Sequence, residues 1–371
     1  MTIENFIDEF KTLANTQCYL KKIAEKIKSH QLPVIIFGAA GLSRWVFYEL
    51  KNLGIKVEGY AVDEKYYMPN QTYSGLPIFN FDELRKTPEK YVFVLGIGVT
   101  AGKRVAEFLN DEKIISYKLI LETVEPISYE YIFDNQNKFF ETYNLLDDEL
   151  SKNTMMNYLK AHITEDRRYL ESICVPNEYF NELTKSVAVQ SDGGYLDCGA
   201  YIGDTVKDFV EFTQGNYSRI FAIEPESKNF DKLKKFVREK NYPRVELFNC
   251  GVWNEKCTLA FADKNIGSKI MEDGGIKVST DTVDNIVGAE PISLIKMDIE
   301  GAELKALEGS LKTLKNSRPI LTLSAYHRKE DLITLPQFIK NIYRDCRFYL
   351  RKHEGFYALY GLDLYVVPER I

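Results

Sequence analysis

The stretch Tyr195-Leu-Asp197-Cys-Gly199-Ala-Tyr-Ile-Gly203-Asp204-Thr205 limits the possible folds of this chain more than any other. A short apolar run ends in an acidic residue, and a Gly-x-x-x-Gly turn carries the chain into a helical pattern. Such a run reads as a buried parallel strand feeding a crossover helix. Gly199 lets the backbone turn tightly, and Gly203 is expected to let a ligand approach the helix start. The spacing is not the GxGxxG of a dinucleotide fold, and Asp197 and Asp204 would repel a pyrophosphate. An acidic strand end suits a cationic, amino-bearing ligand instead.

Later strands present ligand-binding groups in the same way. Arg219–Ile223 ends in Glu224-Pro225, and a carboxylate at the end of the second strand is where a ribose diol is held. Val245–Cys250 leads through Asn249-Cys250-Gly251-Val252, placed to edge an adenine ring. Leu294–Met297 runs into Lys296-Met-Asp298-Ile-Glu300-Gly301-Ala-Glu303, and Ile320–Ser324 leads to His327. The helix 336–343 and strands at about 347–351 and 363–367 complete the series.

An earlier strand–helix series precedes this one. Residues 1–30 have helical spacing, with Phe6, Phe10 and Leu13, then Leu20, Ile23 and Ile27, recurring at three- and four-residue intervals. Val34–Phe37 ends in Gly38-Ala-Ala-Gly41 before the helical Leu42–Asn52. Lys56–Val62 ends in Asp63, and Tyr91–Leu95 ends in Gly96 and Gly98 before a helix at about 101–110. From 126 to 188 the spacing is helical and polar, with no clear strand before Val187. The expected organisation is an N-terminal helix (1–30), a small Rossmann-like α/β domain (31–125), a helical connector (126–188) and a larger α/β domain (189–371). The connector is expected to pack as a linker on its neighbours, or in part to cover an active site.

Composition narrows the partners. The chain has 371 residues, 45% hydrophobic and 27% charged, with a net charge of −6. A chain that lives on nucleic acid or an anionic membrane usually has a basic excess, and this one does not. The basic run Lys232, Lys234, Lys235, Arg238 and Lys240 has the spacing of a solvated helix face. No apolar run approaches the roughly 20 residues of a spanning helix, and Met1 to Phe10 lacks the pattern of a signal peptide. The six cysteines are dispersed, without a CxxC pair. They read as reduced thiols in a cytoplasmic protein without membrane insertion.

Taken together, Asp197-x-Gly-Ala-x-x-Gly-Asp-Thr, Ile223-Glu-Pro and Lys296-x-Asp-x-Glu-Gly-Ala-Glu resemble the FkbM family of S-adenosylmethionine-dependent O-methyltransferases. Ser324-Ala-Tyr-His327, Asp331-Leu and Leu335-Pro fit as well, and Asn177-Glu-Tyr-Phe180 extends the likeness more weakly into the helical segment. Tyr201 departs from the family, which more often has Asn there. The resemblance implies a class I Rossmann-like methyltransferase domain that binds S-adenosylmethionine. It implies that Glu224, with Pro225, holds the ribose hydroxyls and that Gly199, Ala200 and Gly203 pass the methionine part. Asp204 and Thr205 complete that turn, and Asp197 faces the ammonium. Asn249, Cys250 and Gly251 flank the adenine, and Asp298 adjoins the cofactor.

Methyl transfer to oxygen needs a hydroxyl aligned behind the methyl carbon and a group to take its proton. His327 is the expected neutral base, with Asp298 and Glu300 near the same edge. Asp298, Glu300, Glu303 and His327 also have the chemistry of a magnesium or manganese site. Against this, Asp298 and Glu300 alternate and should face opposite ways if the strand continues, so no metal is assigned.

Val34-Ile-Ile-Phe-Gly38-Ala-Ala-Gly41, Val57-Glu-Gly-Tyr-Ala-Val-Asp63 and Gly75-Leu-Pro-Ile78 resemble the small Rossmann-like domain of bacterial sugar acyltransferases. That resemblance implies binding of a nucleotide-linked sugar through Gly38, Gly41 and Asp63, or a degenerate domain used for packing. The expected function is O-methylation of a sugar or nucleotide-linked sugar in glycan biosynthesis. Other readings are a different hydroxylated metabolite as acceptor, or a non-catalytic ligand-binding or scaffold protein. An NAD-dependent oxidoreductase fits less well, because the first glycine turn lacks GxGxxG and no Tyr-x-x-x-Lys follows. The sequence is compatible with a homo-oligomer.

Overall fold

The apolar runs of the sequence become strands buried on both faces, as parallel strands covered by crossover helices must be. The computed structural model describes residues 1–14, 19–97, 102–119, 124–166, 168–189, 193–261, 276–353 and 358–369. Gly98 and Cys18 lie outside these. The chain divides into one unit of Met1–Ile7, Thr123–Leu159 and Tyr169–Ile371 and another of Asp8–Glu122 and Lys160–Arg168.

The smaller unit holds six strands, β1 (Val34–Phe37), β2 (Val57–Val62), β3 (Thr72–Tyr73), β4 (Leu76–Asn80), β5 (Val92–Leu95) and β6 (Ser116–Tyr117). They lie in the order β3-β4-β2-β1-β5-β6, parallel except for the β3–β4 pair. Ile23 and Ile27 of helix Tyr19–Ser29 and Val46 and Leu50 of helix Gly41–Asn52 bury against one face. The 1–30 pattern is thus two helices, Ile3–Lys11 and Tyr19–Ser29. The short strands β3, β4 and β6 were not read from the sequence, because none is a continuous apolar run.

The larger unit contains β7 (Gly194–Cys198), β8 (Ile220–Ile223), β9 (Val245–Phe248), β10 (Gly251–Val252), β11 (Thr258–Phe261), β12 (Ile276–Asp281), β13 (Ile292–Met297), β14 (Ile320–Ser324), β15 (Cys346–Lys352) and β16 (Leu362–Pro368). Seven of them form a sheet in the order β15-β16-β14-β13-β7-β8-β9. Strands β7, β8, β9, β13 and β14 are parallel, whereas β16 runs antiparallel to both its neighbours. This is an open, mixed sheet whose parallel strands are joined by crossover helices. Its strand order reverses between β7 and β13, the crevice where open α/β sheets bind ligands.

Two expectations are corrected here. The third strand of this unit ends at Phe248, and Gly251–Val252 belongs to a separate small sheet, β10-β12-β11. The helix placed at 336–343 runs from Asp331 to Lys340, with Pro336 inside it instead of at its start. Val206 and Phe209 of helix Asp204–Phe212 pack with Tyr195 and Ile220, and the Tyr195 and Phe209 rings stack at 4.2 Å. Segments of the helical region join the outer edge of the sheet, where Asp147 N–H bonds Phe348 O and Val175 N–H bonds Lys352 O. No helix among the described residues is long and apolar enough to cross a membrane.

Candidate active site

At the reversal of strand order, the parallel register sets Lys296 of β13 beside Asp197 of β7. Both side chains are fully buried, and Lys296 Nζ lies 3.3 Å from Asp197 Oδ1. The same ammonium donates to Gly199 O at 2.7 Å, and Thr205 Oγ1 donates to Asp197 Oδ2 at 2.5 Å. Burial works against the Lys296 charge, but Asp197 and then Asp298 outweigh it and hold the group above its ordinary range. Asp197 was expected to face a ligand ammonium. Its charge is met inside the protein by Lys296, where it ties the glycine turn to the sheet.

Gly199 has φ +84°, and a Cβ there would lie 2.0 Å from Asp298 O. Only glycine fits a left-handed turn that close to a neighbouring strand. Gly199 and Ala200 both donate their N–H groups to Ile223 O, and Ala200 is fully buried. At Gly203 (φ +99°) the close neighbour is the Phe236 ring, which a Cβ would approach to 2.6 Å. That glycine leaves room for helix–helix packing. Asp204 is the first residue of helix Asp204–Phe212, where a carboxylate favours the helix dipole. Tyr201 takes φ +46° and is half exposed. Asn enters the left-handed region more readily than a bulky residue does, so Tyr201 sits in a strained position.

Glu224 follows β8 and is almost fully buried. Its Oε2 accepts from Tyr201 N–H at 2.9 Å and its Oε1 from Glu226 N–H at 2.8 Å. Burial pushes its carboxyl up to about 7, against those two bonds. Each oxygen keeps lone-pair capacity for a hydroxyl donor, so the group fits a ribose diol. The Asn249 amide donates to Glu224 O at 2.9 Å and Pro225 O at 3.3 Å, so its side chain clamps this turn. Cys250 follows, its thiol pushed up to about 11 by burial, and Gly251 pairs with Thr280 in β12.

A second constellation adjoins the first, because Asp298 N–H bonds Cys198 O at the end of β7. Strand β13 stops at Met297, and Glu300 takes φ +56°. The strand therefore does not separate the two carboxylates as the alternation suggested. His327 Nε2 lies 3.4 Å from Asp298 Oδ1 and 3.9 Å from Glu300 Oε2. On the other side of the ring, His327 Nδ1 meets Glu303 Oε1 at 2.9 Å, and that oxygen also accepts Ile299 N–H. Glu303 is fully buried at the start of helix Glu303–Glu308. With Nδ1 donating to this carboxylate, Nε2 is the atom turned toward Asp298. Burial alone would lower the imidazole pKa, but Glu303, then Asp298 and Glu300, push it up to about 9. The expected neutral base is therefore an imidazolium in this arrangement. Among the described residues, no group of three or more His, Cys, Asp or Glu is disposed to hold a metal ion.

Two contributors were not singled out from the sequence. Lys296 was quoted only as part of its motif, although its position within an apolar strand implied a buried partner. Tyr179 donates its hydroxyl to Asp298 Oδ2 at 3.1 Å. Nothing local to Asn177-Glu-Tyr-Phe180 indicated that contact. In the smaller unit, Asp63 Oδ1 is held by Arg104 Nη2 at 2.5 Å, and the guanidinium lies over the rings of Phe37, Phe81 and Phe108. Asp63 thus has a cationic partner of its own. Gly38 has φ +111°, and Gly41 opens helix Gly41–Asn52.

Strand order, glycine turn and the acidic end of β8 define a protein with a class I methyltransferase fold. Residues 197–350 match the family model of the methyltransferase FkbM domain. The crystal structure of methyltransferase FkbM from Methylobacillus flagellatus KT shares this fold over 98% of both chains, with 23% identity and a TM-score of 0.72. More distant matches include the O-methyltransferase TomG from Streptomyces achromogenes, solved with SAM (10% identity, 62% of this chain and 95% of that one, TM-score 0.35). An rRNA methylase from Streptococcus thermophilus matches at 14% identity over 51% of this chain and 93% of that one, with a TM-score of 0.34. Neither of these two similarities is strong enough to carry an argument. No curated protein matches the chain.

Proposed function

We propose that this protein is an S-adenosylmethionine-dependent O-methyltransferase acting on a hydroxyl of a sugar or nucleotide-linked sugar in cytoplasmic glycan biosynthesis. The observation that carries this reading is His327. Its Nδ1 is fixed by Glu303 and its Nε2 faces Asp298, at the same sheet edge as Glu224 and the Gly199 turn.

Glu224 would hold the ribose hydroxyls, and the Gly199–Ala200 turn would carry the methionine part past the end of β7. When bound, the cofactor supplies an electrophilic methyl group on a sulfonium. The protein's own residues must then orient the acceptor hydroxyl and accept its proton. His327 Nε2 takes that proton once the imidazole is neutral, while Glu303 stabilises the imidazolium that results. Asp298 and Glu300, beside Nε2, suit the remaining hydroxyls of a polyhydroxylated acceptor, because carboxylates accept several hydrogen bonds. In the smaller unit, the Gly38-to-Gly41 turn at a helix N-terminus would receive the phosphates of a nucleotide-linked sugar.

Two measurements test this. Calorimetry with S-adenosylmethionine should show binding, and NAD should show none. Incubation with methyl-labelled cofactor and a panel of nucleotide sugars and free sugars should label at least one sugar. Cofactor binding without any labelled sugar would leave another hydroxylated metabolite as the acceptor. No binding at all would return the chain to the scaffold reading.

A further inference from the structure

We propose that Tyr179 is a positioning residue for methyl transfer, its phenol O–H holding one oxygen of Asp298 so that His327 Nε2 stays open to the acceptor. This inference rests on the O-methyltransferase reading and adds to it a residue outside the 197–350 domain. The Tyr179 hydroxyl donates to Asp298 Oδ2 at 3.1 Å, and the other oxygen of that carboxylate faces His327 Nε2 at 3.4 Å. A charge-assisted bond between an imidazolium and a carboxylate closes to about 2.7–2.9 Å when nothing opposes it. The Asp298 side chain is 30% exposed, so packing alone does not fix it. Anchored by Tyr179, it stops short of Nε2 and leaves that nitrogen's proton-accepting direction uncommitted to a full ion-pair bond.

The local backbone supports more than a packing role. Tyr179 has φ +60°, a left-handed conformation that costs a bulky residue energy and persists only where surrounding contacts enforce it. Those contacts are present. Tyr179 N–H donates to Tyr365 OH at 3.2 Å, Thr184 Oγ1 donates to Tyr179 O at 2.9 Å, and Asn181 Nδ2 donates to Tyr365 OH at 3.1 Å. Tyr365 OH also meets His353 Nε2 at 2.9 Å. The ring itself lies 5.3 Å from Lys296 Nζ, so one side chain touches both the Asp197–Lys296 pair and Asp298. Burial, and then Asp298 and Asp363, keep the phenol well above its ordinary range, so it remains a donor.

The test is Y179F, which keeps the ring and removes only the hydroxyl, alone and combined with D298N. Methyl-labelled S-adenosylmethionine and the sugar panel above serve as probes, with calorimetry for the cofactor and thermal unfolding for integrity. The expected result for Y179F is a kcat lowered at least about tenfold, a fraction of what a general base supplies. The KM for the cofactor should stay within about twofold, and Y179F should add no loss in the D298N background. An unchanged kcat, or a loss that simply adds to that of D298N, overturns the proposal while the methyltransferase reading stands. A wild-type protein that neither binds the cofactor nor labels any sugar overturns the reading, and the role of Tyr179 falls with it.

Discussion

At the residue scale, His327 and Glu224 show how neighbours decide what a side chain can do. The His327 pKa lies at about 9 because Glu303 and two further carboxylates outweigh its burial. The neutral, proton-accepting form therefore grows as pH rises, and kcat should climb through about pH 9 before levelling. Stability should move the other way. A histidine whose folded pKa is raised stabilises the fold fully below about 6.5, and that contribution disappears as pH passes through about 9. A flat rate profile across this range in wild type would assign proton removal to another group. Glu224, pushed up to about 7 by burial, is less stable ionised in the fold than in the unfolded chain. Its ionisation should lower stability between about pH 4.5 and 7 while raising affinity for the ribose diol. E224Q should weaken S-adenosylmethionine binding by about 1.5–3 kcal/mol at pH 8 and remove that pH dependence of affinity. Calorimetry at pH 6 and 8 on both proteins reads this directly. Motif residues were legible because each ends an apolar run. Their protonation states were not, since these depend on burial at Glu224 and, at His327, on the carboxylates of Glu303 and Asp298 brought beside it.

At the element scale, the parallel register of β7 and β13 determines the site. It places Lys296 beside Asp197 and brings Asp298 O against Gly199. Removing the cation with K296M would leave Asp197 buried without its partner, at a cost of about 3–5 kcal/mol. Urea unfolding should show the loss, and a stability within about 1 kcal/mol of wild type would mean that water reaches Asp197. The strand ends of this sheet could be read from Ile220–Ile223, Leu294–Met297 and Ile320–Ser324, where length and composition agree. Strands β10, β11 and β12, which form a small sheet of their own, could not. Glu300 illustrates the same limit. Alternation predicted opposite faces for it and Asp298, yet the strand ends first and a left-handed residue turns the carboxylate back.

At the scale of the whole molecule, two α/β units share one chain, and the residues that match the FkbM domain model lie in the larger. Cofactor binding should therefore be felt unevenly. At about one hundred times its Kd, S-adenosylmethionine should stabilise its unit by about 2.7 kcal/mol. Amide exchange should slow around residues 195–205 and 220–226 and change little across 34–95. Protection confined to the smaller unit would move the cofactor site there. The sequence by itself determined the alternation of strands and helices, the glycine turn after Asp197 and the carboxylate after β8, because these follow from local periodicity and turn chemistry. Only the tertiary structure decided that Asp197 belongs to Lys296, that Gly203 serves Phe236 and that Asp63 belongs to Arg104. It also brought Tyr179, Asp298, Glu303 and His327 to one place. Hydrogen bonds and ion pairs act over a few ångströms, and which distant residues come that close is set by strand order and register.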